Sequence, residues 1–288
     1  MPIPQDLLQA LLDDRLVPYL GPGLLPADGD GTPASSTALA SRLTTRVTVP
    51  HKIRNRLTAA AQYIENFKHR KTLSGLMTQA FSAEAPVHEL LRQLAALPRL
   101  SLLVSAWYDD ALPQALAGRS DWGMVQGWSQ SEHFGQWYGY YRPDGAPAGE
   151  EDAGRWSTLL YQPLGCVRPA ANWLVSDSDY VEVLTEIDIQ TPVPMQVQRL
   201  RSGRGFLFLG CRFDDQLVRT FARQIMKRSS DRHFAVFDAE PTRNEQRFLA
   251  EQRIERLPMT AEAFSAALAQ ELAALQPTRE AAGMSALA

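Results

Sequence analysis

Apolar positions along the chain fall into two patterns. Short unbroken runs stop at glycine, proline or aspartate: Leu16–Leu20, Leu100–Ala106, Thr158–Gln162, Gly205–Gly210 and His233–Asp238, with Ile254–Leu257 extended after them. Runs of this length, bounded by turn residues, predict buried strands. Between them apolar residues return every three or four positions, the spacing that places them on one face of a helix. Residues 4–14 predict a short helix on Leu7, Leu8, Leu11 and Leu12. From Thr37 to Leu97 four more follow, marked by Leu39/Leu43/Val47, Leu57/Ala60/Ala61/Ile64/Phe67, Leu73/Leu76/Met77/Phe81 and Val87/Leu90/Leu91/Leu94, with Pro98 ending the last. Further helices are predicted up to about Leu116, from Ser178 to Thr185, around Gln196–Arg201, from Phe213 to Arg228, over Glu245–Gln252 and from Thr260 to Leu275. Asp214 or Asp215, and Thr260, stand where N-caps belong.

Strands alternating with helices imply an α/β fold, a Rossmann-like parallel sheet with helices on both faces. The helical block 37–97 reads as an insertion between the first two strands. The stretch 26–36 (PADGDGTPASS) is a loop by composition. Residues 118–157 differ in kind: Trp122, Trp128, Trp137 and Trp156 are interleaved with glycines, which predicts short strands and turns, with 143–154 an exposed acidic loop. All of this makes one domain over 1–275, followed by a flexible tail at 276–288.

Composition then removes whole classes of function. The 288 residues carry 29 Lys+Arg against 32 Asp+Glu, a formal net charge of −3. A general nucleic-acid binder needs a basic surplus, so no nucleic-acid partner is expected. Apolar residues at 45% and charged residues at 21% mark a globular chain. No apolar run is long enough to cross a bilayer, and the start of the chain lacks a secretory pattern, so no membrane association and a cytoplasmic location are expected. The two cysteines, Cys166 and Cys211, form no C-x-x-C pair, and no metal is expected. Asp28-Gly29-Asp30-Gly31-Thr32 resembles a calcium loop but lacks the glutamate that should close it, and reads as a turn.

In a doubly wound sheet ligands bind beyond the carboxyl ends of the strands, and four predicted strand ends carry unusual residues. Gly21-Pro22-Gly23-Leu24 ends the first. Glycines there let a backbone approach a pyrophosphate, or simply make a tight turn; the segment is neither G-x-G-x-x-G, since Pro26 replaces the last glycine, nor a Walker loop. Ser105-Ala106-Trp107-Tyr108-Asp109-Asp110 ends the second, where a carboxylate binds ribose hydroxyls or caps the next helix. Leu164-Gly165-Cys166 and Gly210-Cys211-Arg212-Phe213-Asp214-Asp215 end the others, and their glycines equally suit close packing of strand on helix.

The order and spacing of these segments resemble the sirtuin-like, or silent-information-regulator-like, family of NAD-dependent deacylases and NAD hydrolases. In that family the strand ends read G-A-G-x-S, T-[TQ]-N-[YI]-D, H-G and [FI]-[IL]-G-x-S-x-x-D. The flanks agree: Ala61-Gln62-Tyr63, Val87-His88-Glu89-Leu90 and Asp179-Tyr180. The resemblance spans about residues 10–275. It implies a cleft for NAD, ADP-ribose or an adenine nucleotide, with Gly21, Pro22, Gly23, Leu24, Trp107, Asp109, Gly165, Gly210, Cys211 and Asp215 as candidate binding residues.

The departures carry the functional expectation. The family's asparagine orders the attacking water or the cofactor, and its histidine is the general base. Here those positions are Trp107 and Leu164. An indole only donates and a leucine does neither, so no catalytic residue is assigned. The sirtuin zinc module is also absent. His133 in the Trp-rich segment is the one histidine placed to swing in; His51, His69, His88 and His233 read as structural, and Cys166 and Cys211 as buried, inert thiols, with a redox role as the alternative. The expected protein is a degenerate sirtuin-like domain that acts by binding, with 118–157 as a candidate protein-contact surface. The alternatives are an NAD-consuming hydrolase with relocated catalytic groups and an adaptor that binds no ligand.

Overall fold

The computed structural model describes residues 2–26, 31–186 and 192–285, with the backbone alone from 275. The chain begins with α1 (Gln5–Leu12) and β1 (Leu16–Leu20), then α2 (Ser36–Arg46), α3 (Leu57–Lys68), α4 (Arg70–Ala80) and α5 (Glu89–Ala95). β2 (Leu102–Ser105) and α6 (Ala111–Leu116) lead into β3 (Trp122–Gly127), β4 (Tyr138–Tyr141), β5 (Pro147–Ala148), the one-turn α7 (Glu150–Ala153), β6 (Thr158–Gln162), β7 (Gly165–Cys166) and β8 (Asn172–Trp173). The remainder is α8 (Asp177–Glu186), α9 (Met195–Arg201), β9 (Gly205–Leu209), α10 (Gln216–Ile225), β10 (His233–Val236), α11 (Arg243–Glu251), β11 (Ile254–Leu257) and α12 (Ala261–Ser285).

Nine of the strands form one sheet in the order β11-β10-β9-β1-β2-β6-β3-β4-β5. Every pairing from β11 to β3 is parallel, and only the β3-β4-β5 edge is antiparallel. β1, β6 and β9 are buried at every position, as strands covered on both faces must be. Pro18 lacks a ladder donor, and the β1–β2 ladder begins only after it, at Tyr19↔Val104. The expected α/β, Rossmann-like architecture is therefore present. α5 packs on α6 and α12, α10 on α8. After β1 the chain moves to the β2 side of the sheet; after β9 it moves away through β10 and β11. That reversal places a topological switch point at the carboxyl ends of β1 and β9.

The inserted block holds the four expected helices plus a short 3-10 turn at His51–Ile53. α3 and α4 are separated by a single residue, His69, whose φ of 70° breaks the helix. Two features were not predicted. The acidic loop contains α7, a single turn too short to leave a periodic signal, and residues after β6 form the β7–β8 hairpin. The backbone of α12 continues to Ser285, ten residues past the predicted end at Leu275. Asp28, Gly29 and Asp30 of the calcium-like segment, and 286–288 of the tail, lie outside the described residues. No helix among the described residues is long and apolar enough to cross a membrane.

Candidate functional site

A cavity of about 370 Å³ opens at the switch point. One wall is the turn after β1 and the loop after β9, including Gly21, Gly23, Gly210 and Cys211; Trp107 and Leu164 close the side toward β2 and β6; the inserted block, Tyr180 of α8, and Val218 and Phe221 of α10 supply most of the rest. Of the ten residues expected to bind nucleotide, Gly21, Pro22, Gly23, Trp107, Gly210, Cys211 and Asp215 line this cleft. Leu24, Asp109 and Gly165 do not.

The glycines have a definite cause. A Cβ on Gly21 would lie 2.6 Å from the Gly210 carbonyl oxygen, and one on Gly23 would lie 2.8 Å from it. Gly210 is left-handed, with φ of 65°, and its own Cβ would lie 2.7 Å from the Leu24 nitrogen. The two turns interlock so closely that side chains do not fit. The same interlock uses up the donors. Gly21 N–H donates to Leu209 O and Gly23 N–H to Gly210 O, both at 2.9 Å, and Pro22 has none. The turn after β1 thus borders the cleft without forming an amide cradle, and packing decides between the two readings of these glycines. Leu24 is buried beside Gly210.

The loop after β9 is held by a buried carboxylate. Glu245 accepts two hydrogen bonds of 2.8 Å from Arg212, one from Phe213 N–H, and two from the Thr242 N–H and hydroxyl that cap α11. Burial alone would raise the Glu245 carboxyl, but Arg212 and these donors outweigh it and bring it to about 2. Asp215 caps α10 by accepting from Leu217 and Val218 N–H at 2.7 and 3.3 Å. Cys211 lines the cleft as a neutral thiol, its pKa raised by burial.

The β2 and β6 ends are built from large apolar groups. Trp107 is 4% exposed, so it stands within the wall rather than at the cleft's mouth. Its indole N–H donates to Pro33 O at 2.7 Å, and its ring packs on Phe81 and Tyr108 at centroid distances of 6.0 and 5.0 Å. Tyr108 OH donates to Leu174 O at 2.8 Å. Asp109 is buried and accepts from Ala111 N–H at 2.9 Å, so it caps the start of α6 instead of facing a ribose. Burial raises its carboxyl to about 6. Gly165, with φ of 80°, belongs to the β7–β8 hairpin, where a Cβ would lie 2.0 Å from Asn172 O. Cys166 S–H donates to Asp109 O at 3.1 Å, and burial raises that thiol to about 12.

The inserted helices contribute what sequence reasoning missed: Ser35, Ser36, Thr37, Asn55, Arg56 and Thr58 all line the cleft. Composition places the two serines in a loop, whereas Ser35 is the N-cap of α2, accepting Ala38 N–H at 3.1 Å, and Ser36 opens the helix. A helix start preceded by two serines was the available signal. The flanking segments meet across the seam between the insertion and α8. Gln62 accepts from Ser178 N–H at 2.7 Å, and buried Asp179 takes Arg70 at 2.9 Å, next to Tyr180 in the cleft wall.

His133 lies outside the cleft, stacked on Trp128 with centroids 4.5 Å apart. Of the other rings in 118–157, Trp122, Tyr140 and Tyr141 are buried, and Trp156 and Trp128 cover Gly123 and Gly139 of their own sheet. Phe134 alone stands clear of them, 94% exposed. No group of His, Cys, Asp or Glu among the described residues is arranged to hold a metal ion.

A family model described as SIR2-like domain matches residues 101–257, more than half of the chain, from the approach to β2 through β11. The match includes the β2, β6 and β9 ends; the turn after β1 and the inserted helices precede it. No curated protein matches the chain.

Proposed function

The chain belongs to the SIR2-like domain family, and on that premise we propose that it is a catalytically degenerate member whose cleft takes ADP-ribose or an adenine nucleotide and acts by binding. One observation carries this reading. Trp107 and Leu164, at the positions of the family's asparagine and histidine, both line the same cleft. Leucine has no polar atom, and the only donor of Trp107 is already given to Pro33 O. Neither of these two side chains takes a proton from water. A positioned base is worth on the order of 10²–10⁴ in rate, so turnover falls accordingly.

The cleft fits part of NAD better than the whole. Its volume of about 370 Å³ lies at the low end of ligand pockets, which run from about 300 to 1,000 Å³. NAD, when bound in this family, supplies the ribose carbon whose bond to nicotinamide is broken. Here Trp107 and Leu164 occupy the end where that group would enter, while Asp214 and the inserted hydroxyls remain available to ribose and phosphate. Two assays on one purified sample test the proposal. ADP-ribose at about 100 times its Kd should add about 2.7 kcal/mol of stability, seen as a rise in Tm of several degrees. Nicotinamide release from NAD should stay at background. Release that disappears when Asp109 or His133 is replaced overturns the degenerate reading. No thermal response to NAD, ADP-ribose or AMP overturns the ligand reading and leaves an adaptor.

A further inference from the structure

The cleft has a charge polarity that the fold does not require. On its strand-end side stand Asp214 and Asp215. The arginine there, Arg212, is spent on Glu245 through two bonds of 2.8 Å. On the inserted side stands Arg56, at the N-cap of α3, exposed and with no carboxylate partner among the described residues. Ser36, Thr37 and Asn55 line the cleft beside it. The turn after β1, where a phosphate would be expected, has its glycine amides occupied: Gly21 N–H goes to Leu209 O at the end of β9 and Gly23 N–H to Gly210 O just after it.

We propose that Arg56 is the phosphate-recognising residue of this cleft, so that the phosphates of a bound nucleotide face the inserted helices and not the glycine turn. The assignment rests on the nucleotide reading above and adds the ligand's direction to it. An anion near the β9 loop would meet the Asp214 carboxylate, and near Gly21 it would meet occupied amides. Beside Arg56 it meets a guanidinium with no carboxylate partner among the described residues, whose planar fork suits phosphate oxygens. The carboxylate of Asp214 at the other side suits donors, which a nucleoside supplies as ribose hydroxyls and the adenine amine. The arrangement selects a ligand with phosphate at one end and donors at the other.

Calorimetry with adenosine, AMP and ADP-ribose on the full chain, Arg56→Gln and Arg56→Lys tests it. Arg56 is exposed, so both variants should keep the unliganded Tm of the wild type. For AMP and ADP-ribose, Arg56→Gln should weaken binding on the order of 10- to 100-fold, the usual worth of a charged hydrogen bond. Arg56→Lys should recover part of that loss. Adenosine should bind all three proteins equally, and inorganic pyrophosphate should compete with AMP on the wild type, less on Arg56→Lys and not on Arg56→Gln. Undiminished AMP binding to Arg56→Gln, or an equal loss for adenosine, overturns the assignment while the nucleotide reading stands. No binding of any of these ligands to the wild type overturns both.

Discussion

Two pairs of strand ends meet at the cleft, and they are built in opposite ways. At β1 and β9 the chain uses Gly21, Gly23 and Gly210 to bring two turns within van der Waals limits, leaving open space above them. At β2 and β6 it fills the equivalent space with Trp107, Tyr108 and Leu164. The polar groups follow the same division. At the filled end the carboxylates and the thiol are engaged internally: Asp109 by Ala111 N–H, Asp110 by Arg168 and Gln114, the Cys166 thiol by Asp109 O. Around the open end Asp214 and Arg56 remain uncommitted among the described residues. Topology alone fixes where a doubly wound sheet has its crevice. Whether that crevice can do chemistry is decided by a few side chains at the strand ends, and these can be lost while the crevice stays.

The largest expected effect is at the filled end. Trp107→Asn removes the contacts with Phe81 and Tyr108 and the bond that ties Pro33 to β2. Truncating a buried tryptophan costs about 3–5 kcal/mol, and a buried amide without partners adds to this. We expect a loss of about 5 kcal/mol in urea unfolding. Restoring the family's asparagine therefore costs stability first, and nicotinamide release should remain at background, because Leu164 still supplies no base. A loss below about 1 kcal/mol would mean that the indole does not hold this end closed.

At the open end the corresponding change is smaller and can be resolved into parts. Gly210→Ala places a side chain at φ of 65° and 2.7 Å from the Leu24 nitrogen. The left-handed backbone costs about 1–2 kcal/mol and the overlap about 1–3, so about 3–4 is expected in all. Gly203 provides the control, with φ of 71° and nothing within 4 Å of its Cβ. Gly203→Ala should cost only about 1 kcal/mol. Equal losses in the two variants would show that the turns after β1 and β9 do not interlock as described.

The two ends were not equally legible in the sequence. β1, β2, β6, β9 and β10 announced themselves by apolar runs, because strands buried on both faces leave little room for polar residues, whereas β3 lay unmarked in the Trp-rich segment and the half-exposed β11 read only as extended. The glycines and Asp215 were found because strand ends are where such a fold binds ligands. What failed was local and three-dimensional. Asp109 has the same spacing whether it caps α6 or faces a ribose, and only burial separates the two. The amides of Gly21 and Gly23 look free in sequence because their partners, Leu209 and Gly210 at the end of β9 and just after it, stand almost 190 residues later. Ser36, Thr37, Asn55 and Arg56 were invisible as a set, since nothing linear tells how the inserted helices lean over the sheet.

Each end also carries a buried carboxyl with a shifted pKa, and the two shifts run in opposite directions. Asp109, raised to about 6 by burial, binds its proton more tightly in the folded state than in the unfolded one. Its contribution is present below about pH 4 and is lost as pH rises through 6, a change of up to about 3 kcal/mol. Asp109→Asn keeps an acceptor for Ala111 N–H and removes this loss, so the variant should gain on the wild type between pH 4 and 7. Glu245, lowered to about 2, behaves the other way: its contribution is present above the ordinary glutamate pKa and lost as pH falls toward 2. Glu245→Gln should therefore be inferior at pH 7 and approach the wild type in acid. Urea midpoints across pH 3–8 check both signs, and parallel curves for the two variants would contradict the opposite environments.

The smallest effect is kinetic, and the chain supplies its own probes, one thiol at each end. Cys166 and Cys211 both follow a strand-end glycine, and both are neutral because burial raises their pKa. Thiolate supply therefore makes both slow toward a disulfide reagent. Access separates them. Cys211 lines the cavity, whereas Cys166 has no exposed surface and sits within the β7–β8 hairpin against Asp109. Cys211 needs only a local opening of the β9 loop, while Cys166 needs the hairpin to come away from the sheet. Local openings cost less than global unfolding, so at pH 8 Cys211 should be labelled first and Cys166 only at the rate of global unfolding. The Cys211→Ser and Cys166→Ser variants assign the two phases. Saturating AMP should slow the Cys211 phase through occupation of the cleft, and the Cys166 phase only as far as it stabilises the whole fold. A single shared rate for both thiols, without denaturant, would mean that the two ends open together and that the division between an open and a filled end does not extend to their dynamics.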